Sequence, residues 1–117
     1  MKPALTRQQL LSRKSSAAAG ARAYTASEIE VQLSELAGWT LRDGAIERSF
    51  AFRDYHDTIA FVNALAWMVH GEDHHPDLHV GYNRCAVRWN THSCNGVSEN
   101  DFICAAKSDA VFGRCGA

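Results

Sequence analysis

The sequence predicts an α+β domain: a four-stranded antiparallel sheet with three helices packed on one face, in the order α-β-β-α-β-β-α. Three observations lead there. Thr25-x-x-Glu28 and Ser98-x-x-Asp101 each have capping-box spacing and each precede apolar residues at helical intervals. Asp43-Gly44 separates two apolar-bearing runs, a strong short-range signal for a hairpin because both turn positions tolerate positive φ. Residues 85 to 92 alternate apolar and polar side chains, as a strand with one buried face does. Helix, hairpin, helix, hairpin, helix packs most simply as one sheet covered by helices.

At 117 residues the chain suits a single core. Hydrophobic content of 46% with 21% charged residues is that of a globular protein. The charge is uneven. Residues 1–24 carry Lys2, Arg7, Arg13, Lys14 and Arg22 and no acid, a formal +5, whereas the rest has seven basic and thirteen acidic residues, a formal −6. An acidic domain is a poor partner for a phosphate backbone, so direct nucleic-acid binding is not expected. Residues 1–24 read as a flexible N-terminal extension, with an organelle transit peptide as the alternative because they are Arg- and Ser-rich and acid-free. Residues 25–117 form the domain. Cys85, Cys94, Cys104 and Cys115 make no C-x-x-C pair and follow no secretory segment, which points to reduced thiols and a cytoplasmic protein, or an organellar one if the extension is a transit peptide. No apolar run has the length of a membrane span.

The first helix starts at Thr25, places Ile29, Leu33, Leu36 and Ala37 on one face, and stops at Gly38. Trp39–Arg42 and Ile46–Phe52 are the first hairpin. The second helix starts near Asp54 or Asp57 and runs to about Val69, with Ile59, Val62, Leu65, Ala66 and Val69 as its buried stripe, widened by Phe61, Trp67 and Met68. Gly71 then releases the chain, and Pro76 keeps His74 and His75 off a helix. Leu78–Tyr82 is the third strand. In the fourth, Cys85, Val87, Trp89 and Thr91 face inward, leaving His92 at its tip. Ser98 opens the last helix.

Five of the six histidines, His70, His74, His75, His79 and His92, fall within residues 70–101. Imidazole titrates near neutrality, so the cluster suits proton transfer or metal ligation. His70-x-x-x-His74 has the spacing of helical zinc ligands, with Glu72, Asp73 and Asp77 as further oxygen donors, but Gly71 and Pro76 interrupt the helix that this spacing needs. Metal-free acid–base catalysis by His74, His75 and His92 asks only for a cleft between them. Asp54, His56 and Asp57 read as a polar helix start, His79 as a rim residue, and Asp101 as a helix cap that can also orient a ring. No G-x-S-x-G nucleophile elbow is present.

His74-His75-Pro76, Tyr82, Thr91-His92 and Asp101, with Gly38-Trp39, Phe50, Phe52 and Phe61, resemble the pterin-4a-carbinolamine dehydratase family over about residues 25–112. The resemblance implies the α+β fold derived above, homodimers or homotetramers, and dehydration of 4a-hydroxytetrahydropterin to quinonoid dihydropterin with no cofactor. It implies service to aromatic amino acid hydroxylases, whose tetrahydrobiopterin cofactor is recycled this way. By the same resemblance His74 and His92 are the acid and base, His75 holds the pterin, and Asp101 supports the site. Substrate contact extends to Asp73, Asn90, Thr91 and Ser93. His70 stands where the family often has an acid. Animal members also act as dimerisation cofactors of a homeodomain transcription factor, so a non-catalytic scaffold stays open as an alternative, as does a histidine-based metal-binding module.

Overall fold

The computed structural model describes residues 4–15 and 22–115. Its elements in chain order are α1 (Arg7–Ser12), α2 (Ala26–Leu33), β1 (Thr40–Arg42), β2 (Ala45–Ala51), α3 (Tyr55–Glu72), β3 (Asp77–Val80), β4 (Arg84–Trp89), a 3-10 turn (His92–Cys94) and α4 (Glu99–Arg114). The strands form one antiparallel sheet in the order β1-β2-β4-β3. Together with the helices this is the predicted α+β architecture.

Local chemistry accounts for the element ends. Asp43 and Gly44 both take positive φ, 49° and 79°, at the β1–β2 turn, as a tight hairpin with the strand twist requires. The Thr25 hydroxyl accepts from the Glu28 N–H and the Glu28 carboxylate accepts from the Thr25 N–H, closing the capping box of α2. Ile46, Phe50, Cys85, Val87 and Trp89 line the inner face of the two central strands, in register as Ile46 opposite Trp89 and Phe50 opposite Cys85. Against them pack Phe61 and Leu65 of α3 and Phe102, Ile103 and Val111 of α4. Phe50, Phe61 and Phe112 meet at centroid distances of 4.9–6.1 Å, within the range where aromatic edges and faces attract.

Four expectations are corrected. α2 ends at Leu33, not at Gly38, so Ala37 lies in the following turn and is exposed while Leu36 is buried. In α3 the buried line is Thr58, Phe61 and Leu65, whereas Ala66 is exposed and Trp67 is 80% exposed. Thr58 can occupy the core because its hydroxyl donates to the Asp54 carbonyl (2.8 Å) and lies 3.0 Å from the Tyr82 carbonyl. α3 also continues through Gly71 to Glu72, and Asp73, at φ 52°, makes the left-handed exit expected of Gly71.

The fourth correction concerns the N-terminal segment. Residues 4–15 pack on the domain instead of extending from it. Thr6 and Gln9 form a capping box, Leu10 is fully buried, and Arg7 pairs with Asp109 of α4 at 2.8 Å. Of the expected extension, residues 1–3 and 16–21 lie outside the described residues. Among the described residues no helix is long and apolar enough to cross a membrane.

Candidate active site

Three segments converge on Asp101. It sits in the first turn of α4, fully buried, and its side chain closes the cap of that helix by accepting from the Ser98 N–H at 2.8 Å through Oδ2. The same oxygen accepts from the Thr91 hydroxyl at 2.7 Å, and Thr91 in turn is 2.7 Å from the Ser98 hydroxyl. The other oxygen, Oδ1, lies 2.6 Å from His74 Nε2. This short contact engages Nε2 and leaves the opposite ring nitrogen, Nδ1, for other partners.

His74 is held on a second side as well. Its ring stacks on the Trp89 indole at 5.4 Å between centroids and 17° between planes. Trp89 is itself immobilised: it is fully buried and its Nε1–H donates to the Ser108 hydroxyl at 3.2 Å. With its edge on Asp101 and its face on Trp89, the His74 side chain keeps 12% exposure. It is a fixed imidazole with one open margin.

The remaining predicted residues surround this core unequally. Asp73 and His75 flank His74 and are exposed, as are His92 and Ser93, which follow Thr91 in the 3-10 turn. Asn90 is half-buried. The structure therefore joins the His74 turn to the Thr91–His92 turn through one carboxylate. Thr91 and Asp101 are buried, at 1% and 0% exposure, with their side-chain oxygens engaged by each other, by Ser98 and by His74.

Two contributors were not singled out from sequence. Trp89 read only as an inward strand residue, and no spacing rule links it to His74. Ser98 read as a cap, yet its hydroxyl also binds Thr91; the Ser98-x-x-Asp101 signature was the available signal.

Two of the groups offered as metal ligands have other partners. His74 Nε2 is on Asp101, and Glu72 is on Lys107 at 2.6 Å and on the Ser15 N–H at 2.8 Å. Among the described residues, the group whose candidate ligand atoms lie within 4.8 Å of one another is Asp54, His56 and Asp57. There Asp54 caps α3 and Arg53 pairs with both acids, as a polar helix start does. A groove of about 700 Å³ between α1, α3 and α4, lined in part by Trp67, Met68 and Lys107, contains none of the predicted site residues.

Comparison with known proteins places the whole chain. The family model for pterin 4 alpha carbinolamine dehydratase matches residues 22–111. A protein of Bdellovibrio bacteriovorus bearing the pterin-4-alpha-carbinolamine dehydratase name is 57% identical over 97 residues, covering 80% of this chain and 81% of its own. One of Nitrosospira multiformis with the same name is 53% identical over 85 residues, 73% of this chain and 75% of its own. Among solved structures, a transcriptional coactivator/pterin dehydratase from Brucella melitensis superposes with a TM-score of 0.73 at 39% identity, over 77% of this chain and 98% of that one. A pterin dehydratase-like protein described as a RuBisCO assembly factor in the alpha-carboxysome matches with a TM-score of 0.55 at 25% identity, over 64% of this chain and 87% of that one. The chain belongs to the pterin 4 alpha carbinolamine dehydratase family, a family of hydro-lyases.

Proposed function

We propose that this chain dehydrates 4a-hydroxytetrahydropterin to quinonoid dihydropterin by histidine general acid–base catalysis, recycling tetrahydrobiopterin for an aromatic amino acid hydroxylase. The observation that carries the proposal is the His74 imidazole, fixed between the buried Asp101 carboxylate and Trp89 with one margin open. In the reaction the 4a-hydroxyl takes a proton, the C4a–O bond breaks and water leaves. The ring nitrogen next to C4a gives up its proton as the C=N bond forms, so one proton is delivered and one removed. His74 and His92 divide these two tasks, His75 holds the pterin, and Asp73, Asn90 and Ser93 supply further contacts. Asp101 and Thr91 are positioning residues. The adduct is already poised to lose water, so an acceleration of about 10²–10⁴ from placed imidazoles suffices. The enzyme works as a homodimer or homotetramer.

The test is a coupled assay in which a hydroxylase generates the adduct and its absorbance decay is followed with and without this protein. Acceleration proportional to enzyme concentration supports the proposal; an unchanged decay rejects it.

A second reading, a non-catalytic dimerisation cofactor or scaffold, draws support from the names of the Brucella protein and of the carboxysome assembly factor. It predicts a stable complex with a protein partner and no pterin turnover.

A further inference from the structure

The C-terminus of α3 delivers His74, and its last residue is an unfavourable one for that place. Glu72 puts a carboxylate at the negative end of the helix dipole. Its carbonyl is also among the last four, which have no partner within the helix. The exit that follows is weakly tied: the Asp73 N–H reaches the His70 carbonyl only at 3.4 Å, longer than an ordinary N–H···O bond. One residue later comes His74.

Groups from outside α3 compensate the first two of these deficits. Lys107 of α4 binds one Glu72 carboxylate oxygen at 2.6 Å, and the Ser15 N–H donates to the other at 2.8 Å. The Ser15 hydroxyl donates to the Glu72 carbonyl itself. Ser15 is 6% exposed, and the Glu72 and Lys107 side chains 12% and 18%. The segment that presents Ser15 is anchored along its length. The Leu5 backbone and the Gln32 side chain exchange two hydrogen bonds (2.9 and 2.8 Å), Leu10 is in the core, and Arg13 pairs with Glu99 at 3.0 Å. All of residues 4–15 lie before the stretch matched by the family model, which starts at residue 22.

We propose that this N-terminal strap is part of the catalytic apparatus: Ser15 caps α3 in trans through Glu72 and thereby sets the position of the His74 imidazole. Ser15 and Glu72 are positioning residues, acting through the two-residue exit of the helix. The inference rests on the reading of His74 as the catalytic imidazole.

The test uses the full chain with Ser15→Ala, Ser15→Thr and Arg42→Ala, the last cutting an exposed ion pair with Glu47 on the first hairpin, outside both strap and site. Two readouts are taken: kcat and KM for the carbinolamine, and the His74 ring resonances in an imidazole ¹H–¹⁵N correlation spectrum, assigned by their loss in His74→Gln. Ser15→Ala is expected to lower kcat about 10-fold with KM within about twofold, as a displaced catalytic group does, and to shift the His74 resonances. Ser15→Thr restores both readouts and Arg42→Ala changes neither. A Ser15→Ala protein with a lower Tm but unaltered kcat and unaltered His74 resonances overturns the proposal, because the strap is then only packing. Wild-type protein without turnover counts against the dehydratase reading, and the resonances alone then decide whether the strap positions His74. If Ser15→Ala does not fold, Glu72→Gln is read in the same way.

Discussion

Asp101 receives the Ser98 N–H and the Thr91 hydroxyl on one oxygen and the His74 ring on the other, with no access to water. Removing it strands three polar groups, so Asp101→Ala should destabilise the protein by about 3 kcal/mol. Asp101→Asn keeps the shape and the acceptor for Ser98 but loses the charge that faces Nε2. It should fold with a near-normal urea midpoint and lose about 10²-fold in kcat. Equal losses of stability and activity in the two variants would place Asp101 in the fold only. Trp89 permits a parallel contrast. Trp89→Phe keeps a ring beneath His74, whereas Trp89→Leu leaves an apolar void and no ring. Both should lower stability, the second by about 2–4 kcal/mol, but only Trp89→Leu should also lower kcat, measured well below its melting temperature.

At the scale of elements, α2 and α1 carry separable predictions. Arg22 donates to both Glu28 carboxylate oxygens, at 3.0 and 3.1 Å, and holds the Glu28 carboxyl at about 2, well below its usual value, with the Thr25 N–H helping. A depressed folded-state value means that this contribution to stability is present above the ordinary carboxylate range. It is lost as pH falls from about 4.5 towards 2. Arg22→Ala should raise the Glu28 midpoint in an NMR titration of its side-chain carboxyl, and an unmoved midpoint would assign the shift to the cap alone. For α1, Leu10→Ala should cost about 2–4 kcal/mol in urea unfolding, as a fully buried leucine does. A surface-like change below about 0.5 kcal/mol would mean that the strap does not pack in solution.

These elements also explain how far the sequence could be read. Asp43-Gly44 and the two capping boxes each need only residues three or four apart, and local chemistry decided them. The N-terminal helix carries the same kind of signature, Thr6-x-x-Gln9 before Leu10 and Leu11, but its basic, acid-free composition masked it. The stripe of α3 was displaced because Thr58 is polar in type yet satisfied by the Asp54 carbonyl, which no hydrophobic pattern registers. The site was legible as a set of residue types, while the Trp89 stack and the Ser15–Glu72 cap join residues 15 and 57 apart in sequence, beyond any spacing rule.

For the molecule as a whole, burial sorts the four free cysteines. Cys85 and Cys104 are buried and desolvation pushes both thiols up, whereas Cys94 and Cys115 are partly exposed. A thiol reagent should therefore label two cysteines quickly in the native protein and four in denaturant, since only the thiolate reacts. Four fast thiols in the native protein would contradict the core assigned to β4 and α4. The sheet, α3 and α4 bring His74 and the turn that carries His92 to the two oxygens of Asp101, and we propose that catalysis depends on this placement. The most direct measurement of that claim is single-turnover decay of the 4a-carbinolamine with the His74→Ala/His92→Ala double variant, alongside its circular dichroism. An intact fold and decay at the uncatalysed rate are expected. A folded double variant that still speeds the decay as wild type does would contradict the claim.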